Sequence, residues 1–142
     1  SVPDVFAAGD VAEYDGRSWG IVPVALAQAD AAGRSIAGDT GPKRCDVVPS
    51  ATLKITGVDV FSAGVHSCPD AGCLEFAAED PDGRRYRKVV TRDGRLIGAI
   101  VIGSRKGVRE LGAMIGKDTP VGRFGDAIVR EDFDFAAALK AS

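Results

Sequence analysis

Leu74-Glu75-Phe76-Ala77-Ala78-Glu79-Asp80-Pro81-Asp82-Gly83-Arg84-Arg85-Tyr86-Arg87-Lys88-Val89-Val90-Thr91-Arg92-Asp93-Gly94-Arg95-Leu96-Ile97-Gly98-Ala99-Ile100-Val101-Ile102 is the stretch that decides the fold. Leu74 to Ala78, Tyr86 to Thr91 and Leu96 to Ile102 read as strands. Asp82-Gly83 and Asp93-Gly94 between them are strong hairpin signals, because both residue types tolerate the positive φ that tight turns require. An antiparallel three-stranded meander follows. Just upstream, Leu53-Lys54-Ile55 and Val58-Asp59-Val60-Phe61 alternate apolar and polar around Gly57, as two short strands or one bent strand would. Downstream of Gly103, Ser104 can cap a helix carrying Val108, Leu111, Ala113, Met114 and Ile115. Thr119-Pro120 ends it, and Ala127-Ile128-Val129 and Phe133 to Leu139 read as one or two short helices. The expected class is α+β.

A different pattern stands in front. Val5-Phe6-Ala7-Ala8-Gly9-Asp10-Val11 is an apolar run ending in Gly-Asp. Such a run suits a buried parallel strand whose end lets a ligand approach the backbone, with a carboxylate placed to accept hydrogen bonds from hydroxyls. An Asp after an apolar strand also serves as a loop initiator or helix cap. Trp19-Gly20-Ile21-Val22-Pro23-Val24-Ala25 reads as a helix entry, Pro23 fitting the first turn, where a missing N–H is no loss. Leu26, Ala27, Gln28, Ala31, Ala32, Ile36 and Ala37 continue it with small residues suited to close packing, and Gly38 stops it. Trp19 is either a packed loop aromatic or a stacking platform. Asp39-Thr40-Gly41-Pro42-Lys43-Arg44 reads as a linker, so the expected division is residues 1–40 and residues 41–142.

Composition narrows the function classes. The chain has 142 residues, 45% hydrophobic and 27% charged, enough to bury a core. A net charge of −2, with basic and acidic residues interleaved, gives no footprint for nucleic acid or an anionic membrane. No apolar run approaches the roughly 20 residues that span a bilayer, and no charged leader precedes an apolar core. The cytoplasm is the expected compartment. Three cysteines, an odd number, argue against a secreted disulfide framework. Cys68-Pro69-Asp70-Ala71-Gly72-Cys73 admits three readings: a redox pair, a loop disulfide or metal clip, and ordinary thiols. The sequence chooses no metal ligand set, since two thiols and the lone His66 are an incomplete site. Arg84-Arg85-Tyr86-Arg87-Lys88 fits a docking patch for an acidic redox partner and, better, a charged strand on a solvated sheet face.

Two of these stretches resemble a known family. Val5 to Asp10 is similar to the second flavin-contacting motif, Val-Phe/Tyr-Ala-x-Gly-Asp, of the FAD-dependent pyridine nucleotide-disulfide oxidoreductases. Pro49-Ser50-Ala51-Thr52-Leu53-Lys54-Ile55-Thr56-Gly57-Val58-Asp59-Val60-Phe61-Ser62-Ala63-Gly64 resembles the start of the small C-terminal domain of one branch, the NADH-rubredoxin oxidoreductases and the flavoprotein part of NADH-dependent nitrite reductases. Related ferredoxin reductases usually carry Trp-Phe-Trp-Ser where Val60-Phe61-Ser62-Ala63 stands. In the family Gly often follows the helix Gln, whereas Ala29 follows Gln28 here.

The resemblance implies a strand-loop-helix remnant of an FAD-binding α/β domain over 1–40 and a small accessory or interface domain over 41–142. It implies that Asp10 accepts hydrogen bonds from the ribityl hydroxyls and that Gly9 clears space for the flavin. Val11 would sit beside the ring. The backbone N–H groups of Ile21 and Val22 would face the flavin N1–C2 edge, where a positive helix end favours the charge of the reduced cofactor. FAD would be the cofactor and NAD(P)H the electron donor of the longer enzyme. The partners would be N-terminal FAD and NAD domains absent from this sequence, with a redox acceptor protein and self-association also in view. No Gly-x-Gly-x-x-Gly follows a strand, so the chain alone is expected to be non-catalytic. The contrasting reading is an autonomous interaction or dimerisation module without cofactor. In the first reading the Val5–Ala8 strand lacks its sheet. In the second it folds back on the rest.

Overall fold

The computed structural model describes residues 2–14, 16–41, 47–68 and 70–140. The chain divides into two compact units, Ser1–Pro49 and Ser50–Ser142. Residues 42–44 of the expected linker, together with Cys45, lie outside the described residues.

The first unit is a turn and a helix. Val5 to Ala8 do not form the expected strand: no described strand pairs with them, and Val5 and Phe6 are 68% and 47% exposed. A strand is defined by its ladder, and apolar content alone cannot supply a partner. Ala8 is nevertheless extended (φ −146°, ψ 152°), and the chain then enters a 3-10 turn over Gly9–Val11. Helix α1 spans Val22–Ile36 with Pro23 in its first turn. It ends as Gly38 demands: at φ +84° the glycine donates to Ser35 O and Asp39 donates to Arg34 O, the two bonds of a Schellman cap. Val24 and Gln28 are its buried residues.

The second unit is a five-stranded antiparallel sheet with helices on one face. Strands β1 (Ser50–Ile55), β2 (Val58–Gly64), β3 (Cys73–Glu79), β4 (Tyr86–Arg92) and β5 (Arg95–Ile102) lie in the order β1-β2-β5-β4-β3. The meander of the last three strands is as the alternation and the Asp-Gly signals require. Asp93 (φ 51°) and Gly94 (φ 73°) make the tight β4–β5 turn. Thr56 (φ 51°) and Gly57 (φ 85°) do the same for β1–β2, so the Gly57 region is a hairpin and not one bent strand. Around Asp82-Gly83 the connection is longer, and the Asp80 carboxylate closes it by accepting from the N–H groups of Arg84 and Arg85 at 2.7 and 3.1 Å.

Cross-strand pairs define the inner face. Phe61, Val101 and Arg87 share one row and Ala63, Ala99 and Val89 the next, all buried. Helix α2 (Val108–Gly116) covers this face with Leu111, Met114 and Ile115. A second 3-10 stretch, Gly122–Val129, and helix α3 (Phe135–Lys140) complete the layer through Ile128, Val129, Phe135 and Ala138. Ser104 is not the α2 cap that its sequence position suggests. Gly107, at φ +78°, holds that place beneath Phe135, where a Cβ would stand 2.4 Å from the ring. Ser104 Oγ instead accepts from Lys106 N–H at 3.2 Å. Among the described residues no helix is long and apolar enough to cross a membrane.

Candidate functional site

The Gly9–Asp10 turn is built by its own neighbours. Gly9 has φ +78°, a conformation that an L side chain rarely adopts. Its N–H donates to Gln28 Oε1 on α1 at 2.8 Å, and its carbonyl accepts from Ala12 N–H at 2.9 Å. Gln28 is 8% exposed, so this bond is largely shielded from water. Ser18 Oγ donates to Asp10 O at 3.0 Å, tying the turn to the segment that leads into the helix. Tyr14 and Arg17 pair across a small bend, and the Arg17 guanidinium lies 5.7 Å from the Trp19 ring centroid. Trp19 is therefore a half-buried loop aromatic held by a cation.

These contacts leave the Asp10 side chain and the start of α1 both open to solvent. The Asp10 side chain is exposed, as are Val11 (84%) and Val22 (70%). Ile21 is the extended N-cap of α1 (φ −132°), with no side chain bonded to it as a cap. The Val22 N–H belongs to the first helical turn, whose donors have no intrahelical acceptor, and Pro23 brings no donor. The 15-residue helix adds the partial positive charge of its N-terminus. The turn carrying Gly9, Asp10 and Val11 packs on the same helix that Ile21 and Val22 begin. Gln28, in the sequence a mere spacing mark, is the residue that fixes Gly9. Its signal was a polar side chain in the otherwise apolar run from Val24 to Ala29.

In the second unit the basic run Arg84 to Lys88 is largely matched from within. Arg87 is 4% exposed, which corrects the reading of the run as a solvated charged face. Its Nη1 and Nη2 donate to Arg130 O at 2.9 Å and Lys106 O at 3.0 Å, its guanidinium lies 4.9 Å from the Phe135 ring centroid, and Glu131 approaches at 3.6 Å. Burial pulls its pKa down while Glu131 opposes that pull. Lys88 pairs with Glu75 at 2.7 Å and Arg85 reaches Asp80 and Glu131. The Lys88 bond holds the Glu75 carboxyl below its ordinary range, and Glu75 raises Lys88 in return.

Cys68 and Cys73 are both free thiols, half-buried and buried respectively, and His66 is exposed with Nε2 3.0 Å from Ser62 Oγ. No cluster of three or more His, Cys, Asp or Glu able to hold a metal occurs among the described residues.

The model of the rubredoxin NAD+ reductase C-terminal domain matches residues 49–119, half of the chain and the whole of the sheet and α2. The chain belongs to that family. Among relatives, nitrite reductase [NAD(P)H] of Bacillus subtilis (strain 168) is 31% identical over 121 residues, 84% of this chain and 15% of its own length. NADH-rubredoxin oxidoreductase of Clostridium acetobutylicum is 28% identical over 104 residues, 72% of this chain and 26% of its own. The assimilatory nitrate reductase electron transfer subunit of Bacillus subtilis is 32% identical over 111 residues. The chain thus spans between 14% and 26% of the length of these three relatives. The crystal structure of NADH:rubredoxin oxidoreductase from Clostridium acetobutylicum superposes with a TM-score of 0.60 at 24% identity, over 84% of this chain and 31% of that one. It shares the α+β fold. Matches over 84% of the chain reach beyond Ser50–Ser142 into the first unit.

Proposed function

We propose that this sequence is the C-terminal portion of an FAD-dependent NAD(P)H oxidoreductase of the nitrite reductase or rubredoxin reductase kind. In this reading, residues 1–40 belong to the FAD-binding domain and residues 41–142 form its accessory or interface domain. The family match and the names of the relatives support an oxidoreductase context. The observation that carries the cofactor assignment is the Gly9–Asp10 turn, locked by Gln28 and set on the helix whose N-terminus opens at Ile21 and Val22.

The donor set suits a flavin. Asp10 offers an acceptor for ribityl hydroxyls, Gly9 and Val11 offer a surface free of polar side chains, and the α1 terminus offers N–H groups and positive potential to the pyrimidine edge. Bound FAD would supply the hydride and electron chemistry. The residues of this chain hold the cofactor's orientation and stabilise the negative charge of its reduced form, and no residue here is assigned to bond-making. The exposed apolar side chains Val5, Phe6, Val11 and Val22 fit a surface completed by other domains of a longer chain, and Val5 to Ala8 fit a strand whose sheet lies there. We place the longer protein in the cytoplasm, with a redox acceptor protein as its electron partner.

Calorimetric titration of the purified chain with FAD tests this reading. Saturable binding is expected, weakened about tenfold or more in Asp10→Ala, since a hydrogen bond to a carboxylate contributes about 1.5–3 kcal/mol. No NADH oxidation should accompany it. Equal FAD affinity in the variant, or no binding at all, would favour the cofactor-free interaction module.

A further inference from the structure

The connection from β2 to β3 brings two thiols together at a place the flavin reading does not use. Because β2 and β3 are separated by β5 and β4, the chain has to cross from one edge region of the sheet to the other. Gly64 (φ +66°) turns it out of β2, and Val65 N–H donates to Ile97 O at 3.1 Å. The crossing lies directly on Gly98, where a Cβ would stand 1.9 Å from Val65 O. At its far end Cys68 N–H donates to Glu75 Oε1 at 2.6 Å. Asp70 is fixed by Arg92 Nη2 at 2.6 Å, and its carbonyl accepts from Cys73 N–H at 3.2 Å. Cys68 is held by the Glu75 side chain, and Glu75 and Cys73, two residues apart on β3, share one face of that strand, so both cysteines come to the same side of the sheet edge. Arg92 stands opposite Cys73 in the β3–β4 ladder. Its Nε–H is buried and has no acceptor among the described residues.

We propose that Cys68 and Cys73 form a redox-active dithiol that closes into a reversible disulfide by exchange with a low-molecular-weight disulfide such as oxidised glutathione. Cys68, half-exposed, is the entry point. Its thiolate attacks one sulfur of the small disulfide, forming a mixed disulfide and releasing the first small thiolate. Cys73 is 7% exposed and closed to a bulky oxidant. Its thiolate, beside Arg92, attacks the Cys68 sulfur, forms the Cys68–Cys73 bond and expels the second small thiolate. Two protein thiols are oxidised, one small disulfide is reduced to two thiols, and the two protons go with them. Burial, then Cys73, then Glu75 raise the Cys68 thiol and Lys88 opposes them, so exchange quickens as the pH rises above neutral. The exchange is independent of whether the first unit binds FAD.

The test is mass mapping of the full chain carrying Cys45→Ser, which removes the third thiol, equilibrated in glutathione buffers, acid-quenched and alkylated. The expected result is a loss of two hydrogens per chain and a Cys68–Cys73 linked peptide at least tenfold more abundant than either glutathione adduct. In Cys73→Ser the glutathione adduct should accumulate at Cys68, and in Cys68→Ser the remaining Cys73 should react at least tenfold more slowly. Unlinked adducts on both cysteines, or two free thiols in buffers that oxidise a reference vicinal dithiol, would overturn the proposal. The mapping of the Cys45→Ser chain decides the matter even where a second substitution unfolds the protein.

Discussion

Replacing Arg87 by Met isolates what a charged residue does inside this fold. The substitution keeps an apolar stem of similar reach and removes a guanidinium that donates to Arg130 O at 2.9 Å and Lys106 O at 3.0 Å. Each such bond from a charged donor contributes about 1.5–3 kcal/mol, and the Phe135 contact adds about 0.5–1 kcal/mol. Arg130 and Lys106 are themselves exposed, so water can reach their carbonyls once the C-terminal segment loosens, which favours the lower end of that range. The Met side chain also avoids the cost of burying a charge. The net expectation is a loss of about 3 kcal/mol, read as a urea midpoint lower by about 1–2 M at an unchanged slope. Glu131→Gln should cost under about 1 kcal/mol, because that carboxylate is half-exposed and its contact is 3.6 Å long. An Arg87→Met chain within about 0.5 kcal/mol of the parent would refute the view that Arg87 fastens the C-terminal layer to β4.

Gly98→Ala should destabilise the second unit by about 2–3 kcal/mol or more in the same assay, because its Cβ would meet backbone at 1.9 Å and neither the crossing nor β5 can yield. Gln28→Ala removes the acceptor of the Gly9 N–H, and amide exchange at Gly9 should quicken about tenfold, for a loss of roughly 1–2 kcal/mol. Glu75 is held below the ordinary carboxylate range by Lys88 and the Cys68 N–H, so its contribution is present at neutral pH, above the unfolded value, and is lost as pH falls through the folded one. Denaturation midpoints measured from neutral pH down into the acid range should therefore fall more steeply in the parent than in Glu75→Gln.

The meander was legible because strand alternation and Asp-Gly turns are local signals, each sufficient where it stands. Val5 to Ala8 read as a strand for the same local reason, yet a strand exists only through a neighbour, and no described strand pairs with this run. Arg87 looked solvated because a run of five polar residues gives no hint that one of them points inward beneath Phe135. Ser104 read as the helix cap because serine commonly fills that place, whereas the cap at Gly107 rests on the Phe135 ring, 28 residues further along from Gly107. The spacing of Cys68 and Cys73 was plain, but the crossing that brings both to one side of the sheet depends on strand order. For the candidate site, Gly9 and Asp10 announced themselves as a motif, while the bond from Gly9 to Gln28 is a tertiary fact.

A nuclear magnetic resonance titration of the isotopically labelled chain with FAD tests, residue by residue, the proposal that residues 1–40 carry one wall of a flavin site. Saturable shifts confined to the amides of Gly9, Asp10, Val11, Ile21 and Val22 are expected, all needing about tenfold or more FAD to saturate in Asp10→Ala. Shifts absent from these five amides, or unchanged by the substitution, would contradict it.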